Sequence, residues 1–489
     1  MQPFISKNKF FFLYLYLILF LINIVFFILT KDNSWVSDDY GYIFGAKLYN
    51  LIQDKTFFIE NQPPRFVPLF ILINQFIPES YATWHFIVVM FYFFTSIILF
   101  KITLKLFNNS IFAALTSILF TVNYSISLDS LSWGVYYSHI FNAFLGLLSL
   151  YILIFFIVEK NNLKKTLLIF SYLVSLFLSV SLSEGSLIYI LINLFIYMFF
   201  YFLKKNYLLN FFNIFIIVFP LLFFLVINLI LFSHPLKILS DRVNLNYESK
   251  YENIFNKDNK SEIYFYKSTY APRNVKGYFF KLTDNILKSV NLSQLENVIK
   301  NYEFMQFTKI FLKNNYYKII FIFFIISLIF SSYLVIFLKE KEVLKNYKFF
   351  LLFYLFVLMV YTLIYARTNL SIALSVTSAL LISKIITDFW NYKKKYISAF
   401  ILIIFLTPSI LNGLTKFNIS GDFNAKNNFK KFKEINKSIE NKDKSILNQN
   451  NEFKFYYFYK NFNENKSVLK KNFKDHTYIE FQNDLLKLN

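Results

Sequence analysis

Apolar and polar positions along this chain segregate into long blocks. Runs of apolar residues fall at 10–29, 84–100, 110–124, 139–158, 166–182, 186–203, 209–232, 318–338, 349–365, 370–390 and 396–412. A helix needs about 20 such residues to cross ~30 Å of hydrocarbon, and only helices and closed barrels span it. The pattern predicts an all-α polytopic membrane protein of about eleven transmembrane helices. The first run follows Lys7 and Lys9, exceeds the apolar core of a signal peptide, and lacks a small-x-small cleavage site behind it. It reads as an uncleaved first span.

The stretches between the runs orient them. Every second connection is basic: Lys7/Lys9, Lys101/Lys105, Lys160/Lys164/Lys165, Lys204/Lys205, Lys339/Lys341/Lys345/Lys348 and Lys393/Lys394/Lys395. The short connections 125–138, 183–185 and 366–369 hold one cation between them, Arg367. Cytoplasmic loops collect Lys and Arg, so the expected placement is a multi-pass cell (inner) membrane protein. Its N-terminus is expected in the cytoplasm and its C-terminus outside. Lys384 falls in the last inward turn of its helix, where it is expected to snorkel. The organisation that follows is an N-terminal membrane module over 1–232 with a first outer loop at 30–83, and a large outer loop at 233–317. C-terminal helices over 318–412 and an extracytoplasmic tail at 413–489 complete it.

Composition narrows the class. The chain is 56% hydrophobic and only 16% charged, against roughly 25% charged in soluble domains, which excludes a soluble enzyme. The absence of Cys removes disulfides, thiolate metal sites and Cys nucleophiles. The four His (His85, His139, His234, His476) are scattered, with no metal-binding spacing. A net charge of +22 would suit nucleic acid, but much of the Lys sits in the short loops, where topology accounts for it, and no nucleic-acid partner is expected. Phe, Tyr, Ile, Asn and Lys all have AT-rich codons, so single aromatic or Lys positions carry little functional signal.

Charge is sparse in most membrane cores, so polar residues near the outer ends stand out. They are Asp38, Asp39, Arg65, Asp129, His139, Glu184 and Arg367, all on one predicted side. Ionisable groups at membrane depth are costly and are retained for function. Asp38 and Asp39 are adjacent carboxylates, which do not both bury without a cation, a metal or a shared proton. One reading is a general base; the other is a dipole-complementing pair behind a Ser37 cap. Tyr40, Ile43/Phe44, Leu48 and Leu51/Ile52 follow at helical spacing, predicting an amphipathic helix on the membrane surface. Asn61-Gln62-Pro63-Pro64-Arg65-Phe66-Val67-Pro68-Leu69 sets an extended approach to an apolar stretch, Phe66 to Ile77, too short to span. Arg65 suits bidentate phosphate binding or interfacial snorkelling. Glu184 sits in a tight turn, Leu182-Ser183-Glu184-Gly185-Ser186, where it caps a helix or supports a substrate. Arg367 is a second phosphate ligand candidate, with Asp129 and His139 as supporting polar groups. No Walker A loop, dinucleotide fingerprint, nucleophile elbow or HExxH is present. An energy source must then arrive with the substrate.

The order Asp38-Asp39, then Pro63-Pro64-Arg65-Phe66-Val67-Pro68-Leu69, then Ser183-Glu184, then Arg367 resembles the GT-C superfamily of polyprenyl-phosphate-sugar-dependent glycosyltransferases. Protein O-mannosyltransferases and lipid A aminoarabinose transferases are the nearest in pattern. The likeness runs in order over about residues 1–205 and weakens beyond. It implies a GT-C-like fold with juxtamembrane helices on the outer face, and a polyprenyl-phosphate sugar donor. The acceptor implied is a lipid, glycan or protein. By the same resemblance, Asp38 or Asp39 deprotonates the acceptor, which attacks the anomeric carbon with inversion, and Arg65 and Arg367 stabilise the departing phosphate. The resemblance fixes no cofactor, and a divalent cation is compatible with the carboxylate pair. A lipid-linked-oligosaccharide flippase or other transporter, and a surface-polysaccharide polymerase or ligase, are the alternatives.

Overall fold

The structure, a computed structural model, describes residues 9–31, 35, 40–53, 68–124, 131, 134, 137–182, 186–203, 211–232, 341–363, 372–391 and 395–414. It also describes Leu282, Asn285, Ile286, Lys288, Ser289 and Asn291, and in the tail 434–437, 441, 453–474, 476, 481 and 484–485. The described residues carry helices and no strand. The helices are α1 (Lys9–Thr30), a π turn (Tyr40–Phe44) running into α2 (Gly45–Gln53), α3 (Pro68–Phe76), α4 (Tyr81–Phe107) and α5 (Ser110–Thr121). Then come α6 (Tyr137–Val158), α7 (Asn162–Val180), α8 (Leu187–Leu203) and α9 (Phe211–Phe232). The last are α10 (Lys341–Leu363), α11 (Ile372–Asn391), α12 (Lys395–Leu414), α13 (Phe453–Lys460) and α14 (Phe462–Phe473).

Among the described residues, α1, α4, α6, α7 and α11 are long and apolar enough to cross a membrane, and five shorter apolar helices accompany them. This is a helical membrane protein. The predicted run at 318–338 lies outside the described residues.

Local chemistry explains where the helices stop. Asn108 takes the left-handed conformation (φ 52) and its N–H donates to Leu104 O at 2.8 Å, closing α4. Asn109 then opens α5, its Oδ1 accepting from Phe112 N at 2.9 Å. Two Asn thus end one helix and start the next, because Asn tolerates positive φ and its amide oxygen caps free N–H groups. Asn161 does the same for α7, accepting from Lys164 N at 3.1 Å.

Inside the bundle, hydroxyls satisfy themselves on the preceding turn. Thr95, Ser96, Thr103 and Thr116 donate to the carbonyl four residues back, which makes burial affordable where water is absent. Tyr92 OH reaches across to Phe120 O at 2.8 Å, tying α4 to α5. Lys384, expected to snorkel, also has a partner within its own helix. Its ammonium bonds Asp388 Oδ1 at 2.6 Å, one turn along α11, and both side chains are largely buried. An intrahelical carboxylate one turn away offsets its charge.

Contacts segregate by helix end. At one end Lys105 lies over the Phe155 ring, Lys165 over Phe156, and Phe107 and Phe112 meet Phe350. These are the ends read as basic in the sequence. The opposite end gathers the first loop, the α7 C-terminus and the tail.

Candidate functional site

Of the candidate site residues, Asp38, Asp39, Arg65, Asp129, Glu184 and Arg367 lie outside the described residues. His139 lies in the first turn of α6 and is half-buried. What the structure supplies is the scaffold on which the others are strung.

The flanks of the carboxylate pair are Trp35 and Tyr40, both buried. Trp35 Nε1 donates to Glu79 O at 2.9 Å and its ring meets Phe44 and Tyr81 edge-on. Next to it, His85 stacks on Tyr81 and sits 2.6 Å from Thr30 Oγ1. Thr30 Oγ1 also bonds Phe26 O at 2.7 Å, so the hydroxyl links the last turn of α1 to the imidazole. The end of α1 and the start of α4 are therefore locked on both sides of 36–39.

The flank of the Pro-Pro-Arg stretch is α3. Leu69 N donates to Ser181 O at 3.1 Å, which joins the start of α3 to the end of α7, immediately before Ser183-Glu184-Gly185. The same helix offers Asn74 Oδ1 to Tyr137 OH at 3.1 Å, two residues before His139. Trp84 Nε1 donates to Gly134 O at 3.1 Å and its ring meets Tyr137 edge-on. Thus Trp35, Leu69, Gly134 and Ser181, each near one of Asp38-Asp39, Arg65, Asp129 and Glu184, are tied to α3 or the head of α4. The flanks of Arg367 join elsewhere: Thr362 accepts from Asn285 Nδ2 at 3.2 Å.

His139 also heads a polar stripe. Asn142, Gly146 and Ser149 follow it at helical spacing down α6. Ser179 of α7 lies 3.4 Å from Asn142 Oδ1, and Asn193 of α8 donates to Ser149 Oγ at 2.9 Å. Polar side chains bonded between helices serve as glue in apolar surroundings.

The tail closes this end. The apolar positions predicted for an amphipathic surface helix are buried, Leu51 excepted, but protein covers them. Tyr40 meets Phe453 and Tyr456, and Phe44 meets Tyr456 at 4.4 Å between centroids. Tyr49 OH donates to His476 O at 2.8 Å and Gln53 Nε2 to Phe473 O at 2.9 Å. A predicted lipid-facing side is thus a docking face for α13 and α14, whose aromatic residues carry the hydrophobic gain.

A charged clasp borders that face. Glu79 bonds both Lys460 Nζ and, at 3.0 Å, Tyr459 OH, while Lys47 lies over the Tyr459 ring. Partial burial pushes the Glu79 carboxyl up, but the Lys460 ammonium, the Tyr459 hydroxyl and Lys47 together outweigh it and hold it below the ordinary range. Burial, then the Glu79 charge, pushes Tyr459 up to about 12. Burial lowers Lys47. With a depressed carboxyl, the clasp stabilises docking at neutral pH and loses that contribution as pH falls through the folded-state value. Glu79→Gln should remove this acid dependence. Tail release, followed by limited proteolysis between pH 7 and about pH 3, checks it: equal acid sensitivity in both proteins would discount the clasp. The effect at neutral pH should be small, about 0–1 kcal/mol, because both partners are part-exposed.

Sequence reasoning did not pick out Glu79, Tyr459 or Lys460. Acidic residues are scarce here, 29 against 51 basic, so Glu79 behind Pro78 was the one available signal. Among the described residues no group of three His, Asp or Glu could hold a metal ion. No known family model matches the chain, and no curated protein matches it either.

Proposed function

We propose that this protein is an integral-membrane glycosyltransferase of GT-C type. It moves a sugar from a polyprenyl-phosphate donor to a lipid, glycan or protein acceptor at the outer face of the cell membrane. Asp38 or Asp39 takes the acceptor proton as the nucleophile attacks the anomeric carbon, with inversion. Arg65 and Arg367 oppose the charge that develops on the departing phosphate. Glu184, Asp129 and His139 border the substrates.

The observation that supports this reading is convergence. Four stretches distant in sequence, each carrying an acidic or cationic candidate, are joined through their neighbours at one end of the bundle, and a folded tail docks beside them. An acceptor site at a membrane surface calls for this kind of arrangement: polar groups held by rigid helices. The test is transfer of a labelled sugar from polyprenyl phosphate by membranes containing the protein, read as product formed without added nucleotide.

A flippase is the second reading, and one observation favours it. Polar residues around Lys288 are buried beside the middle of apolar helices, where transporters place their sites. Covalent product separates the two.

The eleven-span threading belongs to the same proposal. Reporter fusions after Lys165, Lys205 and Lys395 are expected to read cytoplasmic, and one at Asn489 external. A cytoplasmic reading at Asn489 would dissolve the one-sided site.

A further inference from the structure

The residue after Asp39 opens a π turn, Tyr40–Phe44. Such turns are rare, hold one residue more than an α turn and recur at functional sites. An uncommon backbone geometry persists where its surroundings dictate it. Here Tyr40, Ile43 and Phe44 are buried, and α13 covers them. Phe453 meets the Tyr40 ring edge-on at 5.0 Å between centroids. Tyr456 packs on Tyr40 at 5.5 Å and on Phe44 at 4.4 Å, and Tyr459 lies 5.7 Å from Phe44. A Cβ on Gly41 would come within 3.9 Å of the Phe455 ring, so the backbone of the turn itself lies against α13.

Tyr456 is held in turn by the tail. Its hydroxyl donates to Asn436 Oδ1 at 2.9 Å, and the Lys460 ammonium lies over its ring. The same Lys460 bonds the Glu79 carboxylate, and the Glu79 carbonyl oxygen accepts from Trp35 Nε1. Four residues, 36–39, separate Trp35 from Tyr40. Both flanks of the acidic pair are therefore tied to α13, one directly and one through Glu79.

The turn also sets register. A helix advances about 100° per residue. If Tyr40–Phe44 relaxed to an α turn and lost its extra residue, the chain ahead of it would rotate by about that angle relative to α2. The π geometry keeps the Tyr40 and Phe44 rings stacked, 5.9 Å between centroids, and Tyr456 seats on both. We propose that Tyr456, with Phe453, is a positioning residue: by packing on Tyr40 and Phe44 it holds the π turn, and with it the register of the chain at Asp38 and Asp39. The inference rests on the general base of the proposed function, and it makes that base depend on a helix of the tail.

Two readouts separate the turn from the chemistry. The first is amide hydrogen exchange of the full-length protein in nanodiscs. Tyr456→Ala should speed exchange in peptides covering 40–44 about tenfold, the scale of a lost aromatic contact, with peptides of α4 and α6 unchanged. Tyr456→Phe keeps the ring and should retain slow exchange. The second is the pH profile of sugar transfer. A misplaced base should lower the rate by up to ~10²-fold and move the acidic limb of kcat/KM. A smaller amount of intact protein lowers the rate equally at every pH. Unchanged exchange at 40–44 in Tyr456→Ala overturns the inference, and so does faster exchange with an unmoved limb. If Tyr456→Ala yields no folded protein, Phe453→Leu is read in the same way. A wild-type protein that transfers no sugar, with faster exchange in Tyr456→Ala, would sink the enzyme reading and keep the tail-held turn. Transfer with exchange and limb both unmoved would do the reverse.

Discussion

Asn in place of Asp38 or Asp39 should cut sugar transfer by ~10²-fold or more, the usual scale for loss of a general base, while leaving the protein folded. The substitution keeps shape and helix-capping ability, since Asn caps about as well as Asp, and removes only the proton acceptor. The neighbours argue that folding is insensitive to it: Trp35 and Tyr40 are held by Glu79 O, Phe44, Tyr81 and the tail. Arg367→Ala should behave differently. A cation that meets the leaving phosphate is felt in donor use, so the loss should appear with donor concentration varied and acceptor saturating. If both Asn variants, made singly and together, transfer sugar normally in membranes with normal protein levels, the carboxylates are caps and the catalytic proposal fails.

The second large effect concerns Gly146. A Cβ there would overlap ring carbons Cγ, Cδ1 and Cδ2 of Tyr189, so α6 and α8 approach as closely as they do only because position 146 has no side chain. The same approach seats Asn193 against Ser149, and small residues at such crossings are what holds apolar helices together in lipid. Gly146→Ala should destabilise the bundle by about 1–3 kcal/mol, the cost of overpacking, and Gly146→Leu should abolish recovery of folded protein in detergent. Thermal unfolding of the Ala variant checks the first, and Gly146→Ala combined with Tyr189→Leu should recover most of the loss. A Gly146→Leu protein with wild-type stability would mean that the crossing is looser than described.

What could be read from the sequence was whatever is local. Apolar runs place the helices, because hydrocarbon thickness sets the length a span needs. The docking of Tyr40, Phe44 and Tyr49 under α13 and α14 was not legible. Their spacing shows an apolar face, but lipid and a distant aromatic helix satisfy it equally. The buried polar stretch around Lys288 was hidden for a different reason: Asn and Lys are so abundant here that Asn285, Lys288 and Asn291 carried no contrast in an outer-loop sequence. The Lys384–Asp388 pair, one turn apart on α11, was also not singled out from the sequence. Among the site candidates, His139 lies half-buried in the first turn of α6, and the other six fall outside the described residues.

The docked tail imposes an order on biogenesis. Tyr49 and His476 are 427 residues apart, with every described membrane helix after α1 made between them. During synthesis the aromatic face of the first loop must therefore wait, uncovered, until α13 and α14 have been delivered to the same side. Contacts so distant in sequence form late and slowly, and an apolar surface left open meanwhile invites capture by chaperones or by the bilayer. The segment that reaches this face last is the one that finishes the segment that reached it first.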